Sequence, residues 1–204
     1  MKTNKKTLNY TLFTLFASII VLLSMTPLGF IHLGFIKATI VHIPVIIGSI
    51  LLGPLAGAGL GLIFGINSII NNTMSPSLLS FAFSPLVPVI GTTSGSPLAL
   101  VIALVPRIIV GIVPYYIVES KLIKNDTFRF GVAGFVGSMT NTLLVMGLIT
   151  LLFKDAYGVA RGIESVAVTK AILSVIVVNG IPEAIVSTII TVPLTRALLK
   201  VKRS

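Results

Sequence analysis

The sequence predicts an all-α integral membrane protein, and three observations lead to that prediction. Hydrophobic residues make up 55% of the 204 residues, charged residues only 10%, and the mean hydropathy is +1.09. A soluble domain has about 25% charged residues, so this chain lacks the polar side chains needed to cover a water-exposed surface. Apolar stretches of transmembrane length recur along the whole chain, which indicates one transmembrane domain over residues 1–204.

Six transmembrane helices are predicted, because six stretches approach the roughly 20 apolar residues that cross a bilayer. Gly53-Pro54 separates the second helix from the third, since this dipeptide forms a tight turn that cannot continue a helix. Both of these helices are short, and we expect their hairpin to cross only part of the bilayer. The predicted segments are 8–26, 36–52, 55–71, 98–118, 128–153 and 172–195.

The distribution of Lys and Arg predicts the orientation of these helices. If the N-terminus is cytoplasmic, ten basic residues fall inside and four outside, as the positive-inside rule requires, and the C-terminus is cytoplasmic too. The inner residues are Lys2, Lys5, Lys6, Lys121, Lys124, Arg129, Arg196, Lys200, Lys202 and Arg203, and the outer ones are Lys37, Lys154, Arg161 and Lys170.

Three loops lie outside in this topology, at 27–35, 72–97 and 154–171. The middle loop, NTMSPSLLSFAFSPLVPVIGTTSGSP, is the longest, yet it carries no charge and is rich in Ser, Pro and Phe. An exposed loop is normally more polar, and we therefore expect this loop to fold back over the helices as a lid. The alternative is a connector that lies along the membrane surface.

Glycines recur at every fourth position in the stretch GPLAGAGLGLIFG, as Gly53, Gly57, Gly61 and Gly65. Small residues with this spacing share one helical face and let two helix backbones approach closely within a bilayer. The pattern predicts tight helix packing and carries no information about a ligand. The stretch GVAGFVGS at 131–138 indicates the same kind of packing more weakly.

Arg107 stands alone in a long apolar region. No Lys, Arg, Asp or Glu occurs from Ala38 to Pro106, and the next charge after Arg107 is Glu119. A charge inside a bilayer is costly, so Arg107 needs either an opposite charge or a function.

Other polar side chains lie at a similar depth, in the outer half of the predicted helices. At 1.5 Å per residue, Arg107 is roughly 15 Å below the outer boundary of its helix. Polar groups that converge at one depth beneath a lid are typical of a small-molecule pocket open to the outside. The candidate binding residues are His42, Asn67, Asn71, Arg107, Asn141, Asn179 and Glu183.

Each candidate also has a purely structural interpretation. Asn side chains in membrane helices often form hydrogen bonds between helices, and His42 can cap a backbone carbonyl. Arg107 and Glu183 can form an ion pair that satisfies both charges without any ligand.

Signatures of catalysis are missing from the sequence. No HExxH, paired-carboxylate, Gly-x-Ser-x-Gly or Walker pattern occurs, and GTTSG at 91–95 has the wrong spacing for a nucleophile. Without cysteine, the chain has no thiolate metal site. The net charge of +10 is not arranged as a basic stripe with aromatics, which argues against nucleic acid. We expect a binding protein that uses no catalytic residue, metal or cofactor.

Four motifs resemble the substrate-binding S components of energy-coupling factor (ECF) vitamin transporters. These motifs are MTPLGFI, HIPVIIGSILLGPLAG, FSPLVPV and GSPLALVIALVPRIIVGIVPYY, and the likeness extends from about Ser24 to Arg196. The chain looks most like the pantothenate-specific group, with pyridoxine and hydroxymethylpyrimidine relatives close by.

The resemblance implies a transport subunit in the cell membrane of a bacterial-type cell. Its implied partners are a transmembrane coupling subunit and two cytoplasmic ATPases, and it implies that the S component reorients in the membrane to release its vitamin. Many members carry an Ala-Ala-x-x-Ala patch on the first helix for docking. Here Ala17 stands alone, with Thr14 and Ser18 as the nearest small residues.

The leading hypothesis is therefore a vitamin-binding subunit of an ATP-driven importer, with pantothenate as its vitamin. Pyridoxine and hydroxymethylpyrimidine are the alternative substrates within the family. Two other classes stay open, which are a structural membrane protein without a ligand and a carrier or channel that works alone.

Overall fold

The computed structural model describes residues 5–33, 36–120 and 122–203, with the backbone alone at 30–33, 36–38 and 203. Lys2 and Lys121, which are counted above among the inner cations, lie outside the described residues. Helices dominate the fold, and a short antiparallel β-hairpin pairs Phe30 with Thr39 and Leu33 with Ile36.

Eight α-helices and one hairpin make up the described part of the chain. Short 3₁₀ turns at Pro27–Gly29 and Ser80–Ala82 and a π-helical segment at Ile176–Gly180 complete it. In chain order the elements are α1 (Lys5–Met25), β1 (Phe30–Leu33), β2 (Ile36–Thr39), α2 (His42–Leu52), α3 (Pro54–Met74), α4 (Leu98–Val110), α5 (Val113–Glu119), α6 (Asp126–Arg161), α7 (Ser165–Val175) and α8 (Ile181–Arg203).

Five helical segments of the described chain are long and apolar enough to cross a membrane. They are α1, α3, α4 with α5, α6, and α7 with α8. The second predicted span, 36–52, corresponds to α2, which has only 11 residues, whereas α3 has 21 and is longer than its predicted span, 55–71. The chain is thus a multi-pass helical membrane protein, and the count of six crossings stays a prediction.

The second predicted helix, 36–52, is wrong at its start. Residues 36–39 form β2, and α2 begins only at His42. Four residues are too few for their periodicity to distinguish a strand from a helix, which explains the error.

The fourth predicted helix, 98–118, is interrupted at Gly111 and Ile112, between α4 and α5. Pro114 lies in the first turn of α5, where its missing N–H leaves no hydrogen bond unmade.

The predicted outer loop 154–171 is wrong as well, because α6 continues to Arg161 and α7 begins at Ser165. Phe153 has non-helical dihedral angles (φ −137°, ψ 29°), so α6 bends where the predicted span 128–153 ends. Gly162 ends α6 in the left-handed conformation, with φ +65°. The last predicted span, 172–195, is one part of a longer helical region from α7 through α8.

The backbones of α3 and α4 are in direct contact. A methyl group at Gly57 would overlap the carbonyl oxygen of Gly111, and one at Gly61 would overlap that of Arg107. Gly65, one turn further, would bring its methyl to 2.8 Å from a carbonyl oxygen of α4. Each successive contact lies four residues later on α3 and four residues earlier on α4, so the two helices are antiparallel.

Gly53, the first glycine of the predicted ladder, has a different role. A methyl group there would meet nothing within 4 Å, and its φ of +96° lies in the left-handed region that favours glycine. Gly53 therefore serves the turn between α2 and α3, and the helix contact begins at Gly57.

The stretch GVAGFVGS packs α6 against α8 and α2. Ser187 Oγ donates a hydrogen bond to the carbonyl oxygen of Gly134 (3.0 Å), and Thr188 Oγ1 donates to that of Gly131 (3.3 Å). A methyl group at Gly137 would lie 2.9 Å from the side chain of Ile46 on α2. Small residues and hydroxyls therefore hold α6 and α8 together, as is common in membrane helices.

Lys5 and Lys202, which are close to the first and last described residues, lie at the same end of the bundle. Lys5 and Lys202 border one groove between α1 and α8, and the Lys202 ammonium group donates to the carbonyl oxygen of Leu51 (2.6 Å). The α2–α3 turn therefore lies at this basic end too. An N-in and C-in orientation needs both termini on one side, but the assignment of that side to the cytoplasm stays a prediction.

The long loop, residues 75–97, packs onto the helices. Ser80, Phe81, Ala82 and Ser84 are buried, and the Phe81 ring meets Phe153 of α6 edge to face, with centroids 5.7 Å apart.

Hydrogen bonds fix the loop to the end of α3. Ser80 Oγ donates to Asn72 Oδ1 (2.7 Å) and accepts from the Ser77 N–H (2.8 Å), while the hydroxyls of Thr73 and Ser84 are 2.7 Å apart. This packing agrees with a loop that folds back, whereas opening and closing as a lid stays a prediction.

Gly61→Ala should destabilise the protein by about 1–3 kcal/mol, because the new methyl group forces α3 and α4 apart. The thermal unfolding of the purified protein in detergent measures this loss. Gly147→Ala is the matched control, since a methyl group there meets nothing within 4 Å and alanine favours the helix. Equal melting temperatures for the two variants would contradict the backbone contact.

Ser80→Ala should increase hydrogen exchange of the amides at 77–87 by about fivefold, since the loop loses hydrogen bonds worth roughly 1 kcal/mol. Ser94→Ala is the control, because the Ser94 side chain is exposed on the same loop. Mass spectrometry of the exchanged protein compares the two variants. If Ser80→Ala exchanges like Ser94→Ala, the Ser80 contacts do not hold the loop.

Candidate ligand-binding site

A cavity of about 190 Å³ lies at the end of the bundle opposite the chain termini. It is surrounded by the C-terminal end of α1, the junction of β2 and α2, and the polar C-terminal end of α3. The long loop, α4 and α6 complete its wall. The lining residues are Ser24, Thr39, Val41, Phe64, Asn67, Ser68, Asn71, Asn72, Phe83, Arg107 and Asn141.

Arg107 supplies the positive charge of this wall. It is on the last turn of α4, its side chain is only 6% exposed, and Nη1 donates to the carbonyl oxygen of Ile102 on its own helix (2.7 Å). Nε has no hydrogen-bond partner among the described residues. The guanidinium group therefore keeps hydrogen-bonding capacity for an acceptor in the cavity.

Two phenyl rings surround the guanidinium group. Its central carbon, Cζ, lies 5.4 Å from the ring centroid of Phe64 on α3 and 5.1 Å from that of Phe83 on the long loop. Both distances are within the range of cation–π attraction.

The N-terminus of α2 also faces the cavity. Val41, its first flanking residue, and Thr39 both line the wall, and α2 runs from there toward the basic end of the bundle. No side chain caps this helix end. The dipole of α2 adds positive potential close to Arg107, which favours an anion in the cavity.

Amide side chains supply the neutral polar groups. Asn67 Nδ2 and Asn141 Oδ1 are buried without a hydrogen-bond partner among the described residues, so each of these two lining residues keeps unused hydrogen-bonding capacity. Asn71 Nδ2 donates to the carbonyl oxygen of Ser24 (3.0 Å), which joins α3 to α1. Asn72 is bonded to the long loop through Ser80.

Four of the seven predicted site residues thus line one cavity, namely Asn67, Asn71, Arg107 and Asn141. Their role in ligand binding stays a prediction.

The other three predicted site residues do not line the cavity. His42 is fully buried at the start of α2, and neither ring nitrogen has a partner among the described residues. Asn179 is half-buried within the π-helical segment. Glu183 Oε1 accepts a hydrogen bond from the Thr39 N–H (2.8 Å) and forms no ion pair with Arg107. Its carboxylate holds the β-hairpin against α8.

Several lining residues escaped the sequence prediction. Ser68 and Asn72 were not predicted, although they directly follow the predicted residues Asn67 and Asn71 and form with them a polar stripe with helical spacing. Phe64 and Phe83 carried no such signal, because an aromatic residue in an apolar stretch does not reveal whether it faces a cavity. Thr39 was assigned to a helix, which concealed its place at the wall.

The cavity can bind a small, polar, negatively charged molecule. It combines a fixed cation, a helix N-terminus and amide side chains with apolar surface from Val41 and two phenyl rings. No group of three His, Asp or Glu side chains lies together within residues 5–33, 36–120 and 122–203, so these ranges form no evident metal site.

Comparison with known proteins identifies the family of this chain. A family model described as the substrate-specific component of ECF transporters matches residues 8–195. The chain is 39% identical over 169 residues to the pantothenic acid transporter PanT of Lactococcus lactis subsp. cremoris (strain MG1363), and the match covers 83% of this chain and 81% of that protein. The resemblance of the sequence motifs is thereby confirmed, and the chain belongs to the family of ECF transporter substrate-specific components.

Proposed function

We propose that this chain is the pantothenate-binding subunit of an ATP-driven ECF importer. The observation that carries the proposal is Arg107, the one basic side chain among the described residues that line the cavity, with a guanidinium nitrogen that no described residue bonds. The similarity to a pantothenic acid transporter supports the same vitamin.

Pantothenate fits the chemistry of this wall. Its carboxylate is ionised at neutral pH, and a guanidinium group meets a carboxylate with two parallel hydrogen bonds. Its amide and hydroxyl groups complement the unused hydrogen-bonding capacity of Asn67 and Asn141.

Pyridoxine and hydroxymethylpyrimidine are the competing vitamins, and they present a flat ring without a fixed negative charge. A site for them needs an aromatic surface that is open to the ligand. The chain has no Trp, and Phe64 and Phe83 both place their rings against the Arg107 cation. These features favour an anionic ligand over a ring.

The proposed partners are a transmembrane coupling subunit and two ATPases, which hydrolyse ATP at the cytoplasmic side of the plasma membrane. The exposed face of α1 is a suitable docking surface, because it carries a groove lined by small hydroxyl side chains together with Tyr10 and Leu15. The hydroxyl residues are Thr7, Thr11, Thr14 and Ser18. Small residues allow a partner helix to approach closely.

A structural role without a ligand and an independent carrier are the rival functions. Equilibrium binding of pantothenate to the purified chain excludes the first. Uptake of pantothenate by proteoliposomes that contain this chain alone would refute the subunit proposal, whereas uptake that needs the complete ECF module and ATP supports it.

Arg107→Ala should weaken pantothenate binding at least 100-fold, which corresponds to about 2.8 kcal/mol, because a desolvated ion pair is lost. Pantothenol, in which an alcohol replaces the carboxylate, should lose little affinity. Isothermal titration calorimetry of both ligands measures the difference.

Arg161→Ala is the control for this experiment. Arg161 is an exposed cation that lies over the ring of Tyr157 and does not line the cavity, so its loss should leave both affinities unchanged. If Arg107→Ala weakens both ligands equally, or neither, then Arg107 does not recognise the carboxylate.

Saturating pantothenate should slow hydrogen exchange and proteolysis of residues 75–97, because a ligand that contacts the closed loop stabilises that form. A loop that exchanges at the same rate with and without ligand is a connector and not a lid. The amides of α8 near Thr195, remote from the cavity, serve as the internal reference.

A further inference from the structure

The positive charge of Arg107 explains anion binding, but it does not explain why two aromatic residues from different parts of the chain meet this group. Phe64 comes from the glycine-packed helix α3, and Phe83 comes from the long loop. Both rings lie with their faces toward Cζ, at 5.4 Å and 5.1 Å.

The backbone around Phe83 is firmly held. Ala82 and Ser84, its two neighbours, are fully buried, and the Ser84 hydroxyl is 2.7 Å from that of Thr73 on α3. Phe83 itself lines the cavity. The loop therefore presents this ring to Arg107 from a fixed position, and the contact exists only while the loop is packed.

An arginine side chain has several rotatable bonds, and an anion site requires its guanidinium group to be held in one orientation before the ligand arrives. In the structure, one hydrogen bond to Ile102 and the two ring contacts supply this restraint. Loss of a ring should therefore free the cation to adopt other rotamers.

We propose that Phe83, together with Phe64, is a positioning residue that holds the Arg107 guanidinium group for the carboxylate of the ligand. The proposal rests on the function proposed above and deepens it. It follows that the packing of the long loop and the recognition of negative charge are coupled, so that each strengthens the other.

Phe83→Leu tests the proposal, because leucine keeps an apolar side chain and removes the ring. Pantothenate affinity should fall about tenfold more than pantothenol affinity, as expected for loss of a desolvated cation–π contact. Phe83→Tyr keeps the ring and should keep the ratio of pantothenate affinity to pantothenol affinity close to that of the wild-type chain.

Phe81→Leu is the matched control. Phe81 lies two residues away on the same loop and packs on Phe153, so Phe81→Leu removes a ring of the same size that does not contact Arg107. The ratio of the pantothenate and pantothenol affinities should therefore change far less than in Phe83→Leu. If Phe83→Leu weakens the binding of both ligands equally, Phe83 only supports the loop and the proposal is wrong. The proposal is also wrong if Phe83→Tyr does not keep the wild-type ratio of the two affinities.

A second experiment needs no ligand. Phe83→Leu and Arg107→Met should each speed hydrogen exchange of the amides at 77–90 by about threefold to tenfold, and the double variant should add nothing further.

Independent, multiplying effects of the two substitutions would overturn the proposal. If the wild-type chain did not bind pantothenate, the proposed function would be wrong. The exchange experiment would still decide whether the contact between Arg107 and Phe83 stabilises the loop.

Discussion

The contact between the backbones of α3 and α4 is the constraint on which the rest of the structure depends. Glycine at positions 57, 61 and 65 lets α3 touch the carbonyl oxygens of α4, and nothing larger than hydrogen fits there. Because Gly61 faces the Arg107 carbonyl, the contact fixes the position of Arg107 along the axis of α3. Phe64 and Asn67 follow within two turns and reach the same cavity.

The polar end of α3 links this contact to the long loop and to α1. Asn71 bonds to the backbone of α1, and Asn72 and Thr73 bond to serines of the loop. One helix therefore organises three sides of the cavity. A cavity organised in this way is formed without a ligand, so the binding proposed for it would require little additional ordering of the chain.

The sequence predicted the depth of polar groups better than their direction. Counting residues along a helix gives the depth of a side chain in the bundle. Arg107, Asn67, Asn71 and Asn141, which were predicted at one depth, do lie together at the cavity. Glu183 lies at a similar depth, but its hydrogen-bond partner is the backbone of the β-hairpin, which the sequence did not predict.

The direction of the Asn179 side chain was not predictable for a different reason. It lies within a π-helical segment, where each turn contains more residues than in an α-helix, so the direction of its side chain does not follow from an α-helical count. His42 lies at the start of α2 rather than within a longer helix, because the strand β2 precedes it. Long, strongly apolar segments were predictable, whereas contacts between distant segments were not.

The shortness of α2 accounts for the space that the cavity occupies. Its 11 residues rise only about 16 Å, roughly half the thickness of the hydrocarbon core of a bilayer. Every residue from His42 to Leu51 is buried by other parts of the protein, so lipid thickness does not dictate the length of this helix. Non-helical backbone inside a membrane protein is tolerated where it lines a cavity, as at Thr39. The cavity lies beyond the N-terminus of α2, where further turns of a full-length helix would otherwise stand.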